Sequence, residues 1–138
     1  VKFWDSSALV TLLLEQPRSA HARTLAADDR EMVVWWGSAV ECASAIARLH
    51  RDGQLTAEDE RVARAMLAEL STTWYEIQPG TAVRDQAMRV LRVHPLRAAD
   101  ALQLAAALEW SGGAASGMFI SYDERLRDAA SREGFTTP

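Results

Sequence analysis

The sequence predicts an α/β fold, a three-layer α/β/α sandwich around a mostly parallel central sheet. Three observations predict it. Short apolar runs, Lys2-Phe3-Trp4, Met32-Val33-Val34-Trp35-Trp36 and Met118-Phe119-Ile120, are separated by stretches of helical periodicity along the whole chain, and that alternation builds βαβ units. The second run is β-branched and aromatic with no apolar–polar alternation, as expected of a strand buried on both faces. Finally, 138 residues suffice for one core, and no repeat, low-complexity tract or long linker divides them, so one domain over residues 1–138 is expected.

The elements follow in order. Lys2-Phe3-Trp4 reads as a buried strand, and Asp5-Ser6-Ser7 as a turn rich in N-cap residues. Ala8 to Leu14 is then a helix that Pro17 stops. Ser19 to Ala27 is a short helix and Asp28-Asp29-Arg30 a solvated turn before the second strand. Ser38 opens a helix to about Asp52-Gly53, with Ile46 and Leu49 on its apolar side. Thr56 to Trp74 is a longer amphipathic helix with Val62, Met66, Leu67, Leu70 and Trp74 inward. Residues 38–74 therefore hold two helices between strands, a helical hairpin whose excess apolar surface suits a partner.

Tyr75-Glu76-Ile77 is a short strand before Pro79-Gly80. Thr81 to Val93 is a helix with Val83, Ala87, Val90 and Leu91 inward, broken by His94-Pro95. Leu96 to Ser111 follows, rich in helix formers and free of Gly and Pro. Gly112-Gly113 and Gly117 bracket a loop before Met118-Phe119-Ile120. Ser121 begins a last helix to about Glu133, and Gly134 to Thr137 forms a final short strand.

Composition narrows the function classes. With 49% hydrophobic and 25% charged residues, the chain resembles an ordinary globular protein. No apolar run is long enough to span a bilayer and no charged-then-apolar leader opens the chain, so a cytoplasmic location is expected. The single Cys42 has no partner for an internal disulfide and suits a reducing compartment as a small packed residue. The net charge of -4 does not advertise a polyanion ligand. Any grip on nucleic acid must be local, a basic rim around an acidic pocket.

The acids carry the chemistry. In the Leu96–Ser111 helix, Ala101, Leu104, Ala105 and Leu108 form the core stripe, and Asp100 interrupts it with Leu96 and Leu104 four residues to either side. A carboxylate at the edge of an apolar stripe needs a cation, donors or water; Arg97 could supply a surface ion pair. Asp5 follows the first strand, Glu41 lies in the first turn after the second, and Asp123 lies just past Ile120. In a parallel sheet these are the strand ends where ligands gather. Each acid also has a purely structural reading. Asp5 can cap its helix. Ser38-Ala39-Val40-Glu41 and Ser121-Tyr122-Asp123-Glu124 are capping boxes as written, and Asp123 is then a first-turn acid favoured by the helix dipole.

Should the four converge, they cannot all stay ionised without a counter-charge. An all-oxygen pocket suits Mg²⁺ or Mn²⁺ over Zn²⁺, and such an ion binds phosphate oxygens and acidifies water, which points to phosphodiester hydrolysis. Ser7 and Ser121 could orient a carboxylate or a water. No glycine-rich phosphate loop is present, and His21, His50 and His94 stand in three unrelated contexts, so neither a His-based metal site nor a Ser-His-Asp triad is readable.

Four segments then resemble, in order, those of PIN-domain proteins, specifically the VapC-type toxin ribonucleases of toxin–antitoxin pairs. They are Phe3-Trp4-Asp5-Ser6-Ser7-Ala8-Leu9-Val10, Ser38-Ala39-Val40-Glu41, Ala98-Ala99-Asp100-Ala101-Leu102-Gln103-Leu104-Ala105 and Ile120-Ser121-Tyr122-Asp123-Glu124-Arg125-Leu126. The resemblance implies that Asp5, Glu41, Asp100 and Asp123 hold Mg²⁺ or Mn²⁺, with Ser7 and Ser121 as polar helpers and Ser121 standing where a threonine is common. The fourth acid varies in that family, so Asp123 could act through water, with Glu124 as the adjacent alternative.

The resemblance further implies a homodimer, an RNA substrate and a small antitoxin that covers the pocket. An antitoxin arginine reaching the acids would inhibit by offering a cation in place of the metal. The hairpin 38–74 is the candidate dimer or antitoxin surface. Arg97 and Arg125, beside two of the acids, are candidates for the RNA backbone, with pairing to Asp100 and nearby Glu residues as the alternative. Two other readings stay open: a PIN-like nuclease of RNA processing or DNA repair outside a toxin pair, and a non-catalytic binding module that carries the acids as caps.

Overall fold

In a computed structural model describing all of residues 1–138, the chain runs β1 (Lys2–Trp4), α1 (Ser6–Leu13), α2 (Ser19–Ala27), β2 (Met32–Trp35), α3 (Ser38–Arg51), α4 (Ala57–Leu70), β3 (Tyr75–Ile77), α5 (Thr81–Val93), α6 (Ala98–Trp110), β4 (Phe119–Ile120) and α7 (Glu124–Glu133). The strands lie in the order β3-β2-β1-β4 and every pairing is parallel. The predicted three-layer sandwich is therefore the observed architecture.

Side chains alternate across a strand, and here each strand divides its apolar residues between two cores. Phe3, Val33 and Phe119, in register with one another, face α5, α6 and α7. Trp4, Val34 and Ile120 face the other way, onto α1, α2, α3 and α4. Both faces are covered, which is why the strands read as continuous apolar runs. On the first side Ala101, Leu104, Ala105 and Leu108 form the predicted stripe of α6 against Val83, Ala87 and Val90 of α5. Burying a leucine such as Leu104 completely is worth about 1.5–3 kcal/mol. On the second side Cys42 and Ile46 of α3 meet Ala63 and Leu67 of α4 over α1.

The differences from the sequence reading have local causes. α4 ends at Leu70, and Trp74 is buried from the turn beyond it, where its indole N–H donates to Glu76 Oε1 at 3.0 Å. Val62 and Met66 are exposed because α4 turns Ala63 and Leu67 inward. Leu91 is exposed for the same reason, one position past Val90. Trp36 lies outside β2 and is half exposed. α6 starts at Ala98, two residues later than read, because Arg97 is extended. The final strand reduces to a single parallel bridge of Thr136 to Met118, beyond Gly134, whose φ of +118° closes α7 in the left-handed conformation. No helix is long and apolar enough to cross a membrane.

Candidate active site

The strand order reverses beside β1: β2 and β3 lie to one side and β4 returns on the other. A crevice opens at the carboxyl ends of strands at such a reversal. Asp5 leaves β1 there, Ser121-Tyr122-Asp123 leave β4, and only Trp36 and Gly37 separate β2 from α3. That last turn depends on Gly37, where a Cβ would stand 2.5 Å from the indole nitrogen of Trp35. Asp100 joins them from the first turn of α6. All four acids line one cleft of about 540 Å³, together with Ser6, Ser7 and Arg48.

Asp5 is at the bottom, 2% exposed. Its Oδ2 accepts from the backbone N–H of Ser7 at 3.2 Å, from the Ser7 hydroxyl and from Ser121 Oγ at 2.8 Å. The hydroxyls are oriented in turn: Ser7 Oγ accepts from the Tyr122 N–H at 2.9 Å and Ser121 Oγ from the Asp123 N–H at 3.1 Å. Asp5 Oδ1 has only a 3.5 Å contact from Ser6 Oγ and is the oxygen left for a ligand. Burial pushes the Asp5 carboxyl above the usual carboxylate range despite these donors, and the charge of Asp100 adds to the push.

Glu41 is clamped from two sides. Ser6 Oγ donates to its Oε2 at 2.8 Å and Gln103 Nε2 to its Oε1 at 3.3 Å. Burial raises its proton affinity, with the charges of Asp5 and Asp100 behind. Asp100 is raised by burial and then by Asp123, against the pull of Arg97 and Arg125. Asp123 caps α7, its Oδ1 accepting from the Leu126 N–H at 2.9 Å.

Asp5 and Asp123 thus combine capping with a place in the cleft. Neither written capping box forms. Ser38 Oγ accepts from Gln103 Nε2 at 2.9 Å while Glu41 faces Ser6, and Ser121 serves Asp5 while Asp123 does the capping. Glu124 lines the adjoining cavity and not the cleft of the four acids. Arg97 and Arg125 are exposed in that adjoining cavity. Neither makes an ion pair, so the structural pairing with Asp100 is not formed.

Three contributors escape the sequence reading: Ser6, Gln103 and Arg48. Gln103 offered a signal, an amide inside an apolar stripe three residues after Asp100, one helical turn away. It is fully buried and its Oε1 has no partner. Ser6 was hidden among three adjacent cap candidates. Arg48 carried no signal at all.

The donor set suits a hard divalent cation: oxygen ligands only, three carboxyls with raised proton affinity, and free oxygens on Asp5 and Asp123. The acids share the cleft without closing into a preformed shell, since no group of three or more potential ligands is gathered tightly enough to grip an ion unaided.

Comparisons with known proteins place the fold in a family. The family model of the PIN domain matches residues 2–131, and the chain belongs to that family. Among solved structures, it is similar to VapC20 of Mycobacterium tuberculosis, described as a sarcin-ricin loop cleaving toxin. That match has a TM-score of 0.69 and 20% identity, over 99% of this chain and 97% of that one. It is also similar to FitAcB from Neisseria gonorrhoeae, with a TM-score of 0.69 and 13% identity over 99% and 96% of the two chains. A toxin–antitoxin complex from Klebsiella pneumoniae matches with a TM-score of 0.62 and 13% identity over 91% and 90%. At such identities these likenesses speak for the fold. No curated protein sequence matches the chain significantly.

Proposed function

We propose that this protein is a metal-dependent endoribonuclease that acts as a toxin and is neutralised by a cognate antitoxin. The observation that carries the reading is that four carboxylates, from four separate elements, line one cleft at the carboxyl edge of the sheet. Membership of the PIN family and the likeness to toxin structures support it.

Asp5, Asp100, Asp123 and Glu41 are the residues that would hold Mg²⁺ or Mn²⁺, and the ion when bound would supply a Lewis acid for the phosphate and an acidified water as nucleophile. The chain's own residues do the rest. Ser7 and Ser121 hold Asp5 Oδ2 so that Oδ1 faces its ligand. Ser6 and Gln103 fix Glu41 through both oxygens. Arg97 and Arg125, exposed and unpaired beside Asp100, hold the RNA backbone. The outer face of the 38–74 hairpin, with Val62 and Met66 of α4 exposed, is the surface for a second copy or the antitoxin.

The test is cleavage of single-stranded RNA with Mg²⁺ or Mn²⁺ by the wild type, Asp5→Asn and Asp100→Asn. Activity in the wild type and a loss of at least about 100-fold in either variant are expected, the scale of a lost electrostatic stabiliser. Equal activity in all three proteins would remove the catalytic role of these acids, and no cleavage by any of them would leave a binding module.

A further inference from the structure

Besides the cavity of Arg97 and Arg125, a further one of about 370 Å³ borders the acidic cleft and shares with it Ser7, Val10, Ala45 and Arg48. Its lining differs in kind. No carboxylate borders it, and Arg18, Arg48 and Tyr122 do. The Arg18 guanidinium lies over the Tyr122 ring, 5.6 Å from its centroid. That ring is held at both ends. Its hydroxyl bonds to His21 Nδ1 at 2.8 Å, and its backbone N–H donates at 2.9 Å to Ser7 Oγ, the hydroxyl that also orients Asp5. Neither Arg18 nor Arg48 makes an ion pair, although Arg48 borders the acids.

An exposed guanidinium over the face of a tethered ring pairs a cation with an aromatic side chain, the two kinds of group on which an unpaired nucleobase stacks. A free arginine at the boundary with the acids sits where the strand's phosphate must pass. We propose that this cavity is a nucleotide subsite, in which the base of the nucleotide next to the scissile phosphate stacks on Arg18 above Tyr122 while Arg48 holds the connecting phosphate. Single-stranded RNA would then run past the acids between Arg97 and Arg125, in the cavity that Asp100, Tyr122 and Asp123 border, and Arg48 and Arg18 in this one, which Tyr122 also borders. This inference rests on the nuclease reading for its substrate.

The experiment measures binding of a short fluorescein-labelled single-stranded oligoribonucleotide to the full chain in EDTA, with an abasic nucleotide placed at each position in turn. Wild type, Arg18→Ala, Arg18→Lys and Arg48→Ala are compared, and the same oligonucleotides are then assayed for cleavage with Mn²⁺. Both alanine variants should bind about 10-fold more weakly, the scale of one lost stacking or phosphate contact. Arg18→Lys should keep most of the affinity but no longer distinguish the intact from the abasic strand at the subsite position.

Unchanged binding in Arg18→Ala and Arg48→Ala, or abasic discrimination that survives in Arg18→Ala, overturns the subsite. Cleavage insensitive to both alanine variants overturns it as well while leaving the nuclease reading intact. Binding sensitive to both, with no cleavage by the wild type, upholds the subsite and removes the nuclease reading.

Discussion

Ser121 Oγ donates to Asp5 Oδ2 at 2.8 Å, joining two residues 116 positions apart in the chain. The bond ties the end of β4 to the start of α1 and fixes which oxygen of Asp5 faces the cleft. Ser121 does this while accepting from the Asp123 N–H. Ser121→Ala therefore removes a donor from a buried carboxylate and leaves a backbone donor unpaired. The expected cost is about 1–3 kcal/mol of stability, read by urea denaturation, together with at least about a 10-fold loss of RNA cleavage.

The crowded acids have a sign that can be tested. Asp5, Glu41 and Asp100 all hold their protons more tightly in the folded chain than their ordinary values. Their contribution to stability is therefore complete below the ordinary carboxylate range and is lost as pH rises through the raised folded values. Asp100→Asn removes one of these charges. Without metal, the variant should melt above the wild type at neutral pH, and the gap should close as pH falls below the ordinary carboxylate range. Thermal melts in EDTA across that window check it; a gap that widens toward acid would contradict the assignment.

Gln103 separates structure from function. It is buried in α6 with one oxygen already unpartnered, and its amide serves Ser38 and Glu41. Gln103→Met keeps the volume and removes an orphaned acceptor, which offsets the lost donors. Stability should change by less than about 1.5 kcal/mol. Cleavage should still fall at least several-fold, because Glu41 is then held by Ser6 alone. Paired melting and kinetic measurements decide it.

Arg97 and Arg125 should act through salt-dependent binding. Replacing either with Ala should weaken RNA affinity across sequences and lower the slope of log affinity against log salt by roughly one. A variant with an unaltered slope does not touch the backbone.

Cys42 is packed between α3 and its neighbours, and burial pushes its thiol up to about 12. A thiol so far from its thiolate is inert. Ellman's reagent should leave the native protein unmodified at pH 8 and react fully only in denaturant.

Much of this architecture was legible in the residues, and the reasons are physical. The strands declared themselves because both faces are buried, so Phe3-Trp4 and Val33-Val34 needed no alternation. Ser19–Ala27 and Thr81–Val93 were bounded by their punctuation, and the helices match those limits. Inward faces were harder. Val62, Met66 and Leu91 sit one position beside the true stripes, and hydrophobicity alone does not separate a stripe from its flank.

The site was legible in its acids and not in their supports. Asp5, Glu41, Asp100 and Asp123 stand at strand ends or helix starts, which the pattern reveals. The two capping boxes failed because tertiary partners outcompeted local ones: Gln103 took Ser38, and Asp5 took Ser121. Such long-range bonds leave no local trace, and neither does the approach of Arg48.

The most direct test of the central claim is calorimetric titration of Mn²⁺ into the metal-free wild type and Asp100→Asn, in two buffers of different ionisation enthalpy. The account predicts one saturable event in the wild type with net proton release, weakened at least about 10-fold in the variant. No saturable binding in the wild type, or equal binding in both proteins, would contradict it.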